Sequence, residues 1–143
     1  MSDARYAIVV GRFYEDLAER LVSSATRVFQ LEGAEAVDVF DVPGAYELPF
    51  AAQEIAKTGR YGGVACLGAV IRGETSHYDH VCEESARGIM DVMLRTGVPC
   101  SFGVLTVDTM DQALARSGGD KRDSGAHAAE AVLALVKLRE SVA

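Results

Sequence analysis

Residues 63–71 read GVACLGAVI, a run of small and apolar residues. At nine residues it is far below the ~18–20 needed to cross a bilayer. It also lacks the alternation of polar and apolar positions that marks a strand with one wet face. A segment of this kind belongs at the centre of a parallel sheet, covered on both sides. The flanking sequence agrees. Downstream, a loop over Arg72–Ser76 leads into helical periodicity over about Tyr78–Arg95, which ends at Gly97 and Pro99 before the β-prone run Ser101–Val107, SFGVLTV. Upstream, a helix is expected over about Leu48–Lys57, ending at Thr58-Gly59 and preceded by a strand Ala36–Val42, AVDVFDV, closed by Pro43-Gly44. Further out, Arg5–Val10, RYAIVV, ends at Gly11, and Glu15–Leu31 repeats apolar residues at Leu17, Leu21, Ala25, Val28 and Phe29 with a helical period. Two last helices fit about Met110–Arg116 and Ser124–Glu140, on either side of SGGDKRD.

Four β-α units follow from this reading. Strands joined through helices run parallel with right-handed crossovers, so the expected fold is an α/β three-layer sandwich: a four-stranded parallel sheet with helices on both faces. Ligands of such sheets bind beyond the carboxyl ends of the strands. The loops to inspect are therefore Gly11–Tyr14, Pro43–Glu47, Arg72–His77 and Asp108–Met110.

Composition narrows the classes of function. The 143 residues are 49% hydrophobic and 24% charged, a balance that builds one domain, here expected over 1–143, and argues against disorder. A formal charge of −7, with no local basic stripe, disfavours nucleic acid and anionic membranes as partners. The start of the chain, MSDARYAIVVG, has no basic segment or cleavage signature, so a cytoplasmic protein is expected. Cys66, Cys82 and Cys100 are an odd number of cysteines with no CxxC pair, which points away from a disulfide framework or a zinc ribbon.

The most informative loop lies within VIRGETSHYDH, residues 70–80. A buried strand delivers the chain to Gly73, two hydroxyl residues and His77. Thr75 or Ser76 is a candidate N-cap for the following helix, whose first backbone N–H groups would face the strand end and attract an anion. His77 would set a proton-transfer group beside that anion. The same pattern also fits a capped helix with an exposed histidine, and spacing alone does not separate the two. A metal reading of His77, Asp79, His80 and Cys82 is disfavoured, because Cys82 is displaced from the face shared by the two histidines. Only Lys57, Lys121 and Lys137 are present, none of them just after a strand, so an enzyme-borne Schiff base is not expected. Motifs for acyl transfer, nucleotide hydrolysis and dinucleotide binding are absent from the sequence. What remains is proton-transfer chemistry on a small anionic substrate, without a cofactor or metal. Phe13 and Tyr46 offer rings for stacking a flat heterocycle, and Glu47 offers a carboxylate to a polyol. Phe102 stands at the opposite end of its strand. It and Arg116 would reach such a site only from a neighbouring chain.

GRFYEDL, VPGAYELPFAAQ, LGAVIRGETSHYDHVCEESARGI and FGVLTVDTMDQALARSGG resemble the lumazine synthases, in order and spacing, over nearly the whole chain. The resemblance implies a flavodoxin-like fold and a transferase of riboflavin biosynthesis. The implied reaction condenses 5-amino-6-(D-ribitylamino)uracil with 3,4-dihydroxy-2-butanone 4-phosphate, giving 6,7-dimethyl-8-ribityllumazine, phosphate and water. It further implies that Phe13 and Tyr46 flank the pyrimidine, that Ala45 and Glu47 bind the uracil and ribityl region, and that Val70 and Ile71 offer main-chain groups to the ring. Gly73, Glu74 and Thr75 would form the phosphate turn, with His77 as general acid and base. Phe102 and Arg116 would come from the adjacent subunit of a homopentamer, and a decamer or icosahedral 60-mer is left open. The chain departs from the family pattern at Tyr14, where many relatives have Asn, and at Asp120 and Ser124, which align with two family lysines. Lys121 or Arg122 are candidates to replace them. The alternatives are a paralogue that binds riboflavin or a lumazine with little turnover, a flavodoxin-like FMN carrier, and a cage protein whose assembly is its role.

Overall fold

The computed structural model describes residues 4–118 and 121–143, so Asp120 lies outside the described residues. The strands are β1 (Arg5–Gly11), β2 (Ala36–Val42), β3 (Gly63–Ile71) and β4 (Cys100–Val107). The helices are α1 (Glu15–Leu31), α2 (Leu48–Lys57), α3 (His77–Thr96), α4 (Met110–Ala115) and α5 (Ser124–Val142), with one 3-10 turn at Ala45–Glu47. The sheet is parallel throughout and ordered β2-β1-β3-β4, the flavodoxin-like arrangement.

The missing alternation in β3 now has its cause. Ala65 and Leu67 enter one core with Tyr6, Ile8 and Val10 of β1, beneath α1 and α5. Val64 and Cys66 enter the other with Ala7 and Val9, beneath α2 and α3. Each buried Leu-sized side chain contributes roughly 1.5–3 kcal/mol relative to exposure, so both faces must be apolar. β2, at one edge, is only half covered, and Val39 and Phe40 remain exposed. α5 packs against α1 closely enough that a Cβ at Gly125 would sit 2.3 Å from the Leu21 carbonyl oxygen; only glycine fits there. α3 stops at Gly97, whose φ of 74° caps the helix in the left-handed region.

Strand order reverses between β1 and β3. The loops leaving their carboxyl ends, Gly11–Tyr14 and Arg72–His77, diverge to either side and open a crevice. The 3-10 turn after β2 forms a third wall.

Candidate active site

The crevice is a cavity of about 600 Å³ lined by Phe13, Tyr14, Gly44, Ala45, Tyr46, Glu47, Ala69, Val70, Ile71, His77, His80 and Val81. Seven of the residues expected at a site therefore share one space: Phe13, Ala45, Tyr46, Glu47, Val70, Ile71 and His77. The lining is mainly apolar with a few polar groups, the usual character of a small-molecule pocket. Phe13 is 75% and Tyr46 62% exposed, which is costly for aromatic rings unless a ligand covers them.

Each wall is held by local bonding. Arg12 fixes the first loop, with Nε donating to Asp41 at 2.7 Å and Nη1 paired with Glu15 and Glu19. These carboxylates, Glu19 foremost, raise its pKa further and keep the guanidinium charged. The second wall depends on a close approach: a Cβ at Gly11 would lie 2.8 Å from the Gly44 carbonyl carbon. Glu47 turns one carboxylate oxygen back to accept the Gly44 N–H at 2.9 Å, leaving the other free for a ligand.

The third wall is the strand-to-helix turn. Arg72 through His77 are exposed. Ser76 takes the N-cap position of α3 but makes no side-chain capping bond; instead Thr75 Oγ1 accepts the His77 N–H at 3.3 Å. The helix behind it carries Tyr78 and Cys82, and burial is the first cause raising the pKa of both side chains. Among the described residues no group of three or more His, Cys, Asp or Glu is clustered as a metal site.

Gly73, Glu74 and Thr75, which lie between Ile71 and His77 in the chain, are not among the residues that line the cavity. Phe102 and Arg116 are elsewhere. Phe102 lies in a separate recess of about 190 Å³ with Arg122, Ser124 and His127, and Arg116 follows α4, where its Nη1 donates to the Gln112 carbonyl at 3.1 Å. Of the two candidates to replace the family lysines, Arg122 enters the Phe102 recess, whereas the Lys121 N–H is bonded back to the Ala115 carbonyl at 2.9 Å. The sequence reading did not name Tyr14, Gly44, Ala69, His80 or Val81 as site residues. The signal for His80 and Val81 was their spacing of three and four residues from His77, which puts them on one side of a helix.

The fold and cleft define a doubly wound α/β protein with a cavity at its topological switch point, lined by aromatic rings and an imidazole. The chain matches the family model described as 6,7-dimethyl-8-ribityllumazine synthase over residues 3–140. It is 48% identical to 6,7-dimethyl-8-ribityllumazine synthase of Salinibacter ruber over 136 residues, 94% of this chain and 87% of that protein. The chloroplastic protein of the same name from Spinacia oleracea is 46% identical over 95% of this chain and 62% of its own length. That of Desulfatibacillum aliphaticivorans is 42% identical, with 95% and 89% covered. The chain belongs to the 6,7-dimethyl-8-ribityllumazine synthase family, whose members are transferases of riboflavin biosynthesis. Among the described residues no helix is long and apolar enough to cross a membrane.

Proposed function

We propose that this chain, acting as one domain in a homopentamer, condenses 5-amino-6-(D-ribitylamino)uracil with 3,4-dihydroxy-2-butanone 4-phosphate to form 6,7-dimethyl-8-ribityllumazine, releasing phosphate and water. The observation that carries the reading is the shared cavity in which Phe13, Tyr46, the end of β3 and His77 face one volume. The pyrimidine stacks on Phe13 and Tyr46, its edge meets main-chain groups of Ala45, Val70 and Ile71, and the free oxygen of Glu47 accepts from a ribityl hydroxyl. Gly73, Glu74 and Thr75 cradle the phosphate, and an adjacent subunit contributes Arg116 and Phe102.

The substrate's own amine attacks the ketone, so no enzyme lysine is needed. His77 returns a proton to the departing hydroxyl as the imine forms. It then serves again when phosphate is eliminated and when the ribitylamino nitrogen closes the ring with loss of water. Acid–base catalysis of this kind contributes ~10²–10⁴-fold at most sites, and holding two substrates in reacting geometry contributes more. A site shared between subunits agrees with the absence of Phe102 and Arg116 from the cavity of one chain. The outer faces of α2 and α3 expose Phe50, Met90 and Leu94, apolar surface that association would cover.

His77→Ala and Arg116→Ala test the assignment. His77→Ala is expected to lower kcat by about 10²-fold, the lower end of that range, and change its pH dependence while leaving measurable turnover. Arg116→Ala is expected to raise KM for the phosphate substrate. A His77→Ala enzyme with unaltered kcat and pH profile would remove the proton-transfer role.

A further inference from the structure

The turn between β3 and α3 is anchored at its ends. Its residues are exposed, a Cβ at Gly73 would have no neighbour within 4 Å, and within the turn Thr75 makes the side-chain bond to the His77 N–H. Arg72 is where the turn leaves the sheet, and its backbone N–H donates to the Val107 carbonyl of β4 at 2.9 Å. Its side chain then crosses the mouth of the turn. Nε donates to Asp108 Oδ1 at 2.8 Å, Nη1 lies 3.7 Å from Asp79 Oδ1, and the guanidinium sits 4.3 Å from the Tyr78 ring centroid. Asp108 is itself fixed, because its N–H donates at 2.7 Å to Gln112 Oε1 within the capping box of α4.

We propose that Arg72 is a positioning residue: clamped by Asp108 and stacked on Tyr78, it sets the first turn of α3 against the sheet and so holds Gly73–His77 in the conformation that accepts phosphate and aims the imidazole. The proposal rests on the reading of that turn given above. Exposed ion pairs of this kind add little to folding stability, so the clamp acts on geometry more than on folding. Loss of the clamp multiplies apparent phosphate affinity by the fraction of turns still in the accepting conformation, so the apparent Kd rises as that fraction falls. Lysine is no substitute, since it has neither the Nε donor nor the planar face that stacks on Tyr78.

Three variants decide it: Arg72→Ala, Arg72→Lys and Asp108→Asn. Arg72→Ala and Asp108→Asn are each expected to raise KM for the phosphate substrate about two- to fivefold, with KM for the pyrimidine unchanged. Arg72→Lys should fall between wild type and Arg72→Ala. Asp108→Asn is the discriminating variant: it removes a negative charge near the phosphate, so if Arg72 contacted phosphate directly, binding would improve. An unchanged or lowered KM in Asp108→Asn, or full recovery in Arg72→Lys, overturns the proposal. Amide hydrogen exchange over residues 73–77 gives a readout independent of turnover, and Arg72→Ala and Asp108→Asn should both accelerate it. Were the wild-type chain to form no lumazine, the functional reading would fall while the exchange data still judged the clamp; unchanged exchange in both variants would refute it.

Discussion

Gly11→Ala is a small change with a traceable consequence. The new Cβ would meet the Gly44 carbonyl carbon at 2.8 Å, the Gly44 Cα at 3.1 Å and the Ala45 nitrogen at 3.2 Å. All three are backbone atoms, so no rotamer change relieves the clash. Ordinary contact begins near 3.4 Å, and the 3-10 turn must therefore retreat by roughly 0.6 Å. Overpacking of this kind costs ~1–3 kcal/mol, which for a chain of this length lowers Tm by about 3–10 °C. The turn carries Tyr46 and Glu47, so KM for the pyrimidine should rise as well. Gly68→Ala is the control: its Cβ would lie 3.8 Å from the Gly11 nitrogen and from Leu48, in ordinary contact, and should cost under about 1 kcal/mol. Thermal melts and steady-state kinetics on both variants make the comparison. If Gly11→Ala matches Gly68→Ala in Tm and in KM, the close approach of the two loops does not shape the site.

Two further outcomes follow from exposed and buried side chains. Sedimentation of the wild-type chain should give at least a pentamer, and Phe50→Asp with Leu94→Asp should lower the mass and the activity together; a fully active monomer would contradict the shared site. Burial raises the Cys100 thiol from 9.0 to about 12 and Cys66 well above its usual range. A group with a raised folded pKa contributes stability that is complete below the unfolded pKa and lost as pH climbs toward the folded one. Denaturation midpoints should therefore fall as pH rises from 9 toward about 12, and this slope should flatten in the Cys66→Ser, Cys100→Ser double variant; an equally steep slope would contradict it.

Much of the fold could be read from local pattern. GVACLGAVI announced a strand buried on both faces because two helical layers demand apolar residues at odd and even positions alike. The α1 boundaries followed from a long amphipathic repeat, as did those of α2 from its Gly stop. The 3-10 turn at Ala45–Glu47 was not legible, since three residues are too few to express a period. The cap of α3 was ambiguous for a different reason: Thr75 and Ser76 both carry hydroxyls, and only the path of the chain decides which reaches the His77 N–H. Tyr14, Gly44 and Ala69 line the cavity through tertiary placement, which no spacing rule encodes. The distance of Phe102 from the crevice was foreseeable, because it begins its strand while the site lies at strand ends.

The most direct test is to mix purified protein with 5-amino-6-(D-ribitylamino)uracil and 3,4-dihydroxy-2-butanone 4-phosphate and follow lumazine absorbance together with phosphate release. The two products should appear in equal amounts, at a rate that needs both substrates. Binding of riboflavin or a lumazine with no chromophore formed would contradict the catalytic account and leave a paralogue that keeps the pocket without the reaction.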